Sequence, residues 1–247
     1  GDFPKAAHYL ERALHSYPRA FSIRMQLAYL YLQMKAPKKG LATLIALKQL
    51  PPRAQLLTAH LYRAMEDTPR ALKSLQAVEK GEDAEETKDL LTADFYMFYA
   101  TVAEDAGETD LAIEKAEKAL TLDPENAMSC NFLGYVLADH NRELARAETL
   151  IMKALVVEPH NVAYLDSIAW VYYRQGKFQD ALGQICTALR SGEQGRDSVI
   201  LDHAGDIFKA SGFMQLARHY WGQAISRGAL RPEMIREKMS VSAATSE

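Results

Sequence analysis

The stretch Val162–Arg190, VAYLDSIAWVYYRQGKFQDALGQICTALR, decides how this chain folds. Leu165, Ile168, Ala169 and Tyr172 fall at the i, i+3, i+4, i+7 spacing of one apolar helix face. Gln175-Gly176-Lys177 interrupts that helix, and Gly176 suits the left-handed conformation in which helices often end. A second helix then carries Phe178, Ala181, Leu182, Ile185, Ala188 and Leu189 on its apolar face. Two short amphipathic helices joined by a tight turn predict an antiparallel helical hairpin.

The same frame recurs along the chain. Ala6, Gly40, Ala71, Ala112, Ala147, Ala181 and Ala217 are its equivalent small residues, at intervals of 34, 31, 41, 35, 34 and 36 residues. Gly107, Ala112, Ala116 and Ala119 precede Asp123-Pro124; Gly134, Ala147, Ile151 and Ala154 precede Glu158-Pro159; Gly205, Phe208, Gly212, Ala217, Trp221 and Ala224 form the last full unit. Pro18, Pro52, Pro124 and Pro159 are placed to follow helix ends, because proline removes an N–H and restricts the residue before it. The small residues let the two helices of a hairpin approach closely. A period in this range marks a helical repeat array, which offers surface rather than a catalytic cleft.

Composition narrows the function further. The 247 residues carry 29 Lys+Arg against 32 Asp+Glu, a net charge of −3, which is not the basic footprint of a nucleic-acid binder. No apolar run reaches the roughly 18 residues that a membrane-spanning helix needs. Residues 1–14 read as an amphipathic helix without the order of a signal peptide, although such a signal could lie upstream of a chain that opens in mid-repeat. Cys130 and Cys186 are too few for a disulfide framework and are expected to be buried free thiols.

With Gly134-Tyr135, Ala169 with Tyr172, Gly205 with Phe208, Gly176-Lys177-Phe178, Gly212-Phe213 and the alanine pairs in view, the chain resembles the tetratricopeptide repeat (TPR) family over residues 1–229. The resemblance implies an all-α fold: about six antiparallel hairpins plus an N-terminal half-repeat, wound into a right-handed superhelix. Two departures are visible, Gly40 in place of the first alanine and no tryptophan at the usual early position of a first helix. The intervals 31 and 41 concentrate an excess near 79–89, EKGEDAEETKD, with six acids and two bases. This segment is expected to be a solvated loop with a helix extension, or an acidic junction between an N-terminal block at 1–78 and a C-terminal block at 90–229. Gly1-Asp2-Phe3 fits the turn between paired helices, so the first helix of that hairpin is expected from upstream sequence or from a neighbouring molecule. At the other end a capping helix is expected over Arg231–Met239 and a disordered tail over Ser240–Glu247.

In the family the first helices line a concave groove. Carried over in this register, the groove residues are Met97, Thr101, Asn131, Tyr135, Asp166, Trp170, Tyr173, Arg174, Asp202, Asp206 and Lys209. Asp166, Trp170 and Tyr173 share one face, and rings with carboxylates suit an extended basic or apolar peptide. Tyr29-Leu30-Tyr31 and Phe95–Tyr99 read instead as packing between helices. The two-carboxylate clamp that some relatives use for acidic C-termini needs Lys, Arg and Asn on successive first helices, and here only Asn131 fits it.

Catalysis has little support: there is no Gly-rich phosphate loop, H-E-x-x-H or G-x-S-x-G. Asp202 and His203 diverge by about 100° on a helix and are not expected to share a metal or acid–base site; His203 is expected to be packed or capping. His140 and His160 form no ligand spacing, and no cofactor or metal is expected. The reading is a non-enzymatic scaffold that binds a protein or peptide in the groove. The alternatives are a scaffold that self-associates through its open N-terminal repeat, and a docking subunit of an enzyme or envelope-assembly complex. NFLGYVLAD from Asn131, YLDSIAWVYYRQGKF from Tyr164 and LDHAGDIF from Leu201 also resemble the C-terminal repeats of Gram-negative TPR proteins, many of them envelope lipoproteins. That likeness implies a bacterial source and a periplasmic or outer-membrane address, with the cytoplasm as the alternative.

Overall fold

Close approach between paired helices organises the computed structural model, which describes residues 2–47, 49–81 and 85–244, with side chains through 240. Ala71, Ala112, Ala147, Ala181 and Ala217 are all 0% exposed. Each lies on the second helix of a hairpin against its first helix. The first helix is equally constrained: a Cβ added to Gly134 would stand 2.6 Å from Ile151 Cγ1 and 2.9 Å from the Ala147 carbonyl oxygen. Interhelical spacing is thus fixed where small residues meet.

All regular structure among the described residues is helical. The chain divides into two compact units at Leu122/Asp123. The first holds α1 (Phe3–Ser16), α2 (Phe21–Gln33), α3 (Pro37–Ile45), α4 (Pro52–Arg63), α5 (Thr68–Glu79), the single turn α6 (Glu85–Lys88), α7 (Ala93–Asp105) and α8 (Thr109–Leu122). Its hairpins are α2/α3, α4/α5 and α7/α8, with α1 packed on α2. The second holds α9 (Ala127–Asp139), α10 (Leu144–Val157), α11 (Val162–Arg174), α12 (Phe178–Leu189), a 3-10 turn at Gln194–Arg196, α13 (Ser198–Ala210), α14 (Met214–Ser226) and α15 (Pro232–Ala244). Its hairpins are α9/α10, α11/α12 and α13/α14. The six expected hairpins are all present. Of the expected opening turn, Gly1 lies outside the described residues. On α1, Ala6 is exposed where its five alanine equivalents are fully buried.

Two expectations change, and the segment 79–89 lies within the first unit. Glu79 ends α5 and is no solvated acid: its carboxylate accepts hydrogen bonds of 2.8 Å from both Lys115 and Lys118 on α8. Residues 82–84 of that segment lie outside the described residues. The C-terminal helix is longer than Arg231–Met239 and continues through Ala244, with Ile235 2% exposed in the core of α13 and α14. Of the expected tail, residues 245–247 lie outside the described residues. Pro52 opens α4 at the first helical position, where a missing N–H is harmless. Cys130 is buried and Cys186 half-buried; both are free.

The turn inside every hairpin repeats one backbone device. Lys35, Glu66, Gly107, Asn141, Gly176 and Gly212 occupy the same place after the first helix, and all have positive φ, from 55° to 86°. Glycine meets this without a Cβ penalty, and asparagine tolerates it. Lys35 and Glu66 do not have that freedom. Lys35→Gly and Glu66→Gly should therefore each stabilise the chain by about 0.5–1 kcal/mol, the relief of left-handed strain less the freedom that glycine adds to the unfolded chain. Urea denaturation of the single variants checks this; a loss of stability in both would refute it.

Candidate partner-binding site

Eight of the eleven residues picked from the sequence occupy two repeat positions on the first helices; Tyr173, Arg174 and Lys209 lie a turn further on. Met97, Asn131, Asp166 and Asp202 are each the fifth residue of their helix, and Thr101, Tyr135, Trp170 and Asp206 the ninth. Asn126, Asn161 and Asp197 fix where α9, α11 and α13 begin, each accepting a hydrogen bond from a first-turn N–H through its side chain. The helical period then aims both positions to the same side.

In the second unit Asp166, Trp170, Asp202 and Asp206 bond to side chains outside that set. His203 on α13 donates through Nδ1 to the Asp166 carboxylate on α11, at 2.9–3.0 Å. Its ring stacks on Trp170 at 4.1 Å between centroids and 16° between planes. The Trp170 indole N–H donates to Asp139 Oδ1 on α9 at 3.1 Å. Tyr173 stacks on the same indole at 4.9 Å, with the Arg174 guanidinium 5.7 Å from its centroid. Tyr135 lies 6.1 Å from the His203 ring. Next along, Lys238 of α15 bridges Asp202 at 2.9 Å and Asp206 at 2.7 Å. Asp206 also accepts from the Trp221 indole at 3.1 Å, and Lys209 lies 5.9 Å from that ring.

Burial sets the protonation of this cluster. It pulls the His203 pKa down by itself; the Asp166 carboxylate, by charge and by hydrogen bond, with Asp202 and Asp139 behind it, more than offsets this. His203 therefore titrates above the ordinary histidine value. Burial likewise pushes Asp206 up, partly countered by Lys238, while Lys238 itself is held above its ordinary value by Asp206 and Asp202 against burial. One expectation is corrected here. Trp170 is only 7% exposed, and Asp166 and Met97 are also buried, so these three are not open contact residues. His203 is packed, as its sequence suggests, but pairs across helices with an acid 37 residues away, which spacing along one helix does not reveal. Asn131, Tyr135, Tyr173, Arg174, Asp202 and Asp206 are half-buried, and Lys209 is exposed.

In the first unit the equivalent positions are open. The same fifth and ninth positions on α2 and α4 are Met25, Tyr29, Leu56 and His60, and with Leu32 and Leu57 they line an apolar cleft of about 550 Å³. Tyr29 is 57% exposed, whereas Tyr31 beside it is buried, so the expectation that both are packing residues holds only for Tyr31. Gln26, Gln33 and Arg53 edge the cleft. His60 stacks on Phe98 at 3.8 Å; burial, with the Arg63 charge, lowers its pKa and favours the neutral ring. Arg63 is itself paired with Asp105 at 2.8 Å. Continuing the register N-terminally from Met97 would have found this cleft.

A sequence model of the tetratricopeptide repeat matches residues 1–53 and 56–127, just over half of the chain. The chain belongs to the tetratricopeptide repeat family. A TPR repeat-containing protein of Pseudomonas aeruginosa is 46% identical over 68 residues, which span 28% of this chain and only 12% of that protein. Among solved structures, a TPR protein from Parabacteroides merdae superposes with a TM-score of 0.74 at 15% identity, covering 98% of this chain and 93% of that one. The type IV pilus biogenesis factor PilW gives 0.66 at 18% identity, covering 88% and 98%. YrrB, a TPR protein with an unusual peptide-binding site, gives 0.59 at 15%, covering 86% and 97%. At these identities the likeness is one of fold. No described helix of this TPR chain is long and apolar enough to cross a membrane.

The buried Asp166–His203 pair gives the TPR core a pH dependence whose sign is fixed. A pKa raised on folding means that the stabilisation is complete below the unfolded value, about 6.5, and is lost as pH rises through the higher folded value. The unfolding free energy should thus fall over that window in the wild type, and His203→Gln should flatten that fall. Asp166→Asn, which removes the charge that keeps the buried ring protonated, should lower stability at pH 6 and abolish or reverse that fall. Urea titrations across the window measure both; a slope unchanged in His203→Gln would contradict the assignment.

Proposed function

We propose that this chain is a non-catalytic scaffold for protein–protein association, holding an apolar segment of a partner in the α2/α4 cleft. The carrying observation is the open apolar cleft on the first-helix face, with a Tyr29 ring that the fold leaves 57% exposed. An exposed aromatic beside aliphatic residues buries area on contact at little cost in side-chain freedom, which suits it to anchor a partner. The second unit's cluster then has a structural role. Asp139, Trp170, His203 and Asp166 tie α9, α11 and α13 together, and Lys238 bridges Asp202 and Asp206 and offsets one of their two charges.

Membership of the TPR family supports the scaffold class, and the peptide-binding site of YrrB supports a peptide-sized occupant. The proposed mechanism is burial: apolar side chains of the segment displace water from Met25, Tyr29, Leu32 and Leu56.

Panning a phage-displayed library of 12-residue peptides against the full chain tests this. Peptides should be retained, and Tyr29→Ala should weaken the retained peptides about tenfold or more while leaving thermal unfolding unchanged. Trp170→Phe, which removes the bond to Asp139, should lower stability without changing peptide affinity. Retention that is indifferent to Tyr29→Ala, or no retention at all, would sink the cleft as the binding site.

A further inference from the structure

We infer that the α2/α4 cleft selects an apolar segment carrying an acidic side chain at the end that meets Arg53. This rests on the cleft being the binding site, and it reverses the charge preference suggested by the acids of the C-terminal repeats. The observations concern what remains unneutralised. Arg53, the second residue of α4, is exposed and has no hydrogen-bond or ion-pair partner among the described residues. The residues lining the cleft include no carboxylate. His60 in the lining is held toward its neutral form, and Arg63 is matched by Asp105.

The start of α4 adds to the same sign. Its N-cap, Pro51, makes no side-chain hydrogen bond, and its first turn contains no acid. The positive end of the helix dipole is therefore not countered locally and lies beside the Arg53 guanidinium. A carboxylate on an incoming segment would meet both. The remaining polar groups at the edge, the Gln26 and Gln33 amides, are uncharged and can serve the segment's backbone. By contrast, every acid named on the first-helix face of the second unit already has a partner within that unit: Asp166 has His203, Asp139 has Trp170, and Asp202 and Asp206 have Lys238. The charge left open on the cleft is positive, and the partner that fits is apolar and acidic.

The test uses one retained library peptide resynthesised in three versions, with Asp, Asn or Lys at the position nearest Arg53, identified by scanning each residue to Asp. Binding to the full chain is measured at low salt by fluorescence anisotropy. The Asp version should bind about fivefold tighter than the Asn version. That advantage should vanish in Arg53→Gln and pass to the Lys version in Arg53→Glu, with helicity unchanged in both variants. Equal affinities for the three versions, or a wild-type preference for Lys, overturn the charge assignment while leaving the cleft intact. Affinities indifferent to Tyr29→Ala overturn the cleft, and this inference with it.

Discussion

Contact between small residues on paired helices is the constraint on which everything else depends. With alanine or glycine at the crossing, backbones approach until a single added methyl would collide, as at Gly134 against Ile151 and the Ala147 carbonyl. Protein interiors are close-packed and transmit such fits rather than absorbing them. Each first helix is thereby seated at a fixed rotation. That rotation decides which residues face outward, so the small residues that never touch a ligand determine where the fifth and ninth side chains point.

From that shared geometry the two units build opposite surfaces. In the second, the outward positions carry acids and a tryptophan, and successive helices satisfy them mutually. Buried charges of this kind are stable only when paired and hydrogen-bonded, and His203, Trp170 and Lys238 supply those partners. In the first unit the same positions on α2 and α4 carry no carboxylate, being Met25, Tyr29, Leu56 and His60, and leave a cleft. One repeat position thus serves cohesion in one place and exposure in another.

The architecture was legible because the small residues recur at nearly constant intervals and the helix faces keep the 3.6-residue period, so hairpin number and register could be read directly. What the sequence concealed was contact across repeats. Asp166 and His203 are far apart along the chain, and nothing local announces that their helices are neighbours at that height. Trp170 reads as a groove ring until its partner Asp139, on another helix, is located. The tyrosines at 29 and 31 look alike in sequence, yet two residues on a helix differ by about 200° in direction, and one is buried while the other faces solvent. The positive-φ turn was visible only where glycine marks it. Lys35 and Glu66 adopt the same conformation because the hairpin geometry overrides their local preference.

That last feature bears on how the cleft behaves in time. In the two hairpins that form it, α2/α3 and α4/α5, the residue after the first helix that takes left-handed backbone is a lysine or a glutamate rather than glycine or asparagine. Their first helices also begin without a capping side chain, whereas Thr92, Asn126, Asn161 and Asp197 cap α7, α9, α11 and α13. Local opening free energies within one protein range from near zero to the global value, and they are lowest where such restraints are missing. Amide hydrogens of α2 and α4 should accordingly exchange with solvent sooner than those of α11. On the proposed reading, an occupant of the cleft would bind two hairpins whose first helices lack capping side chains, and slowed exchange there would register its arrival.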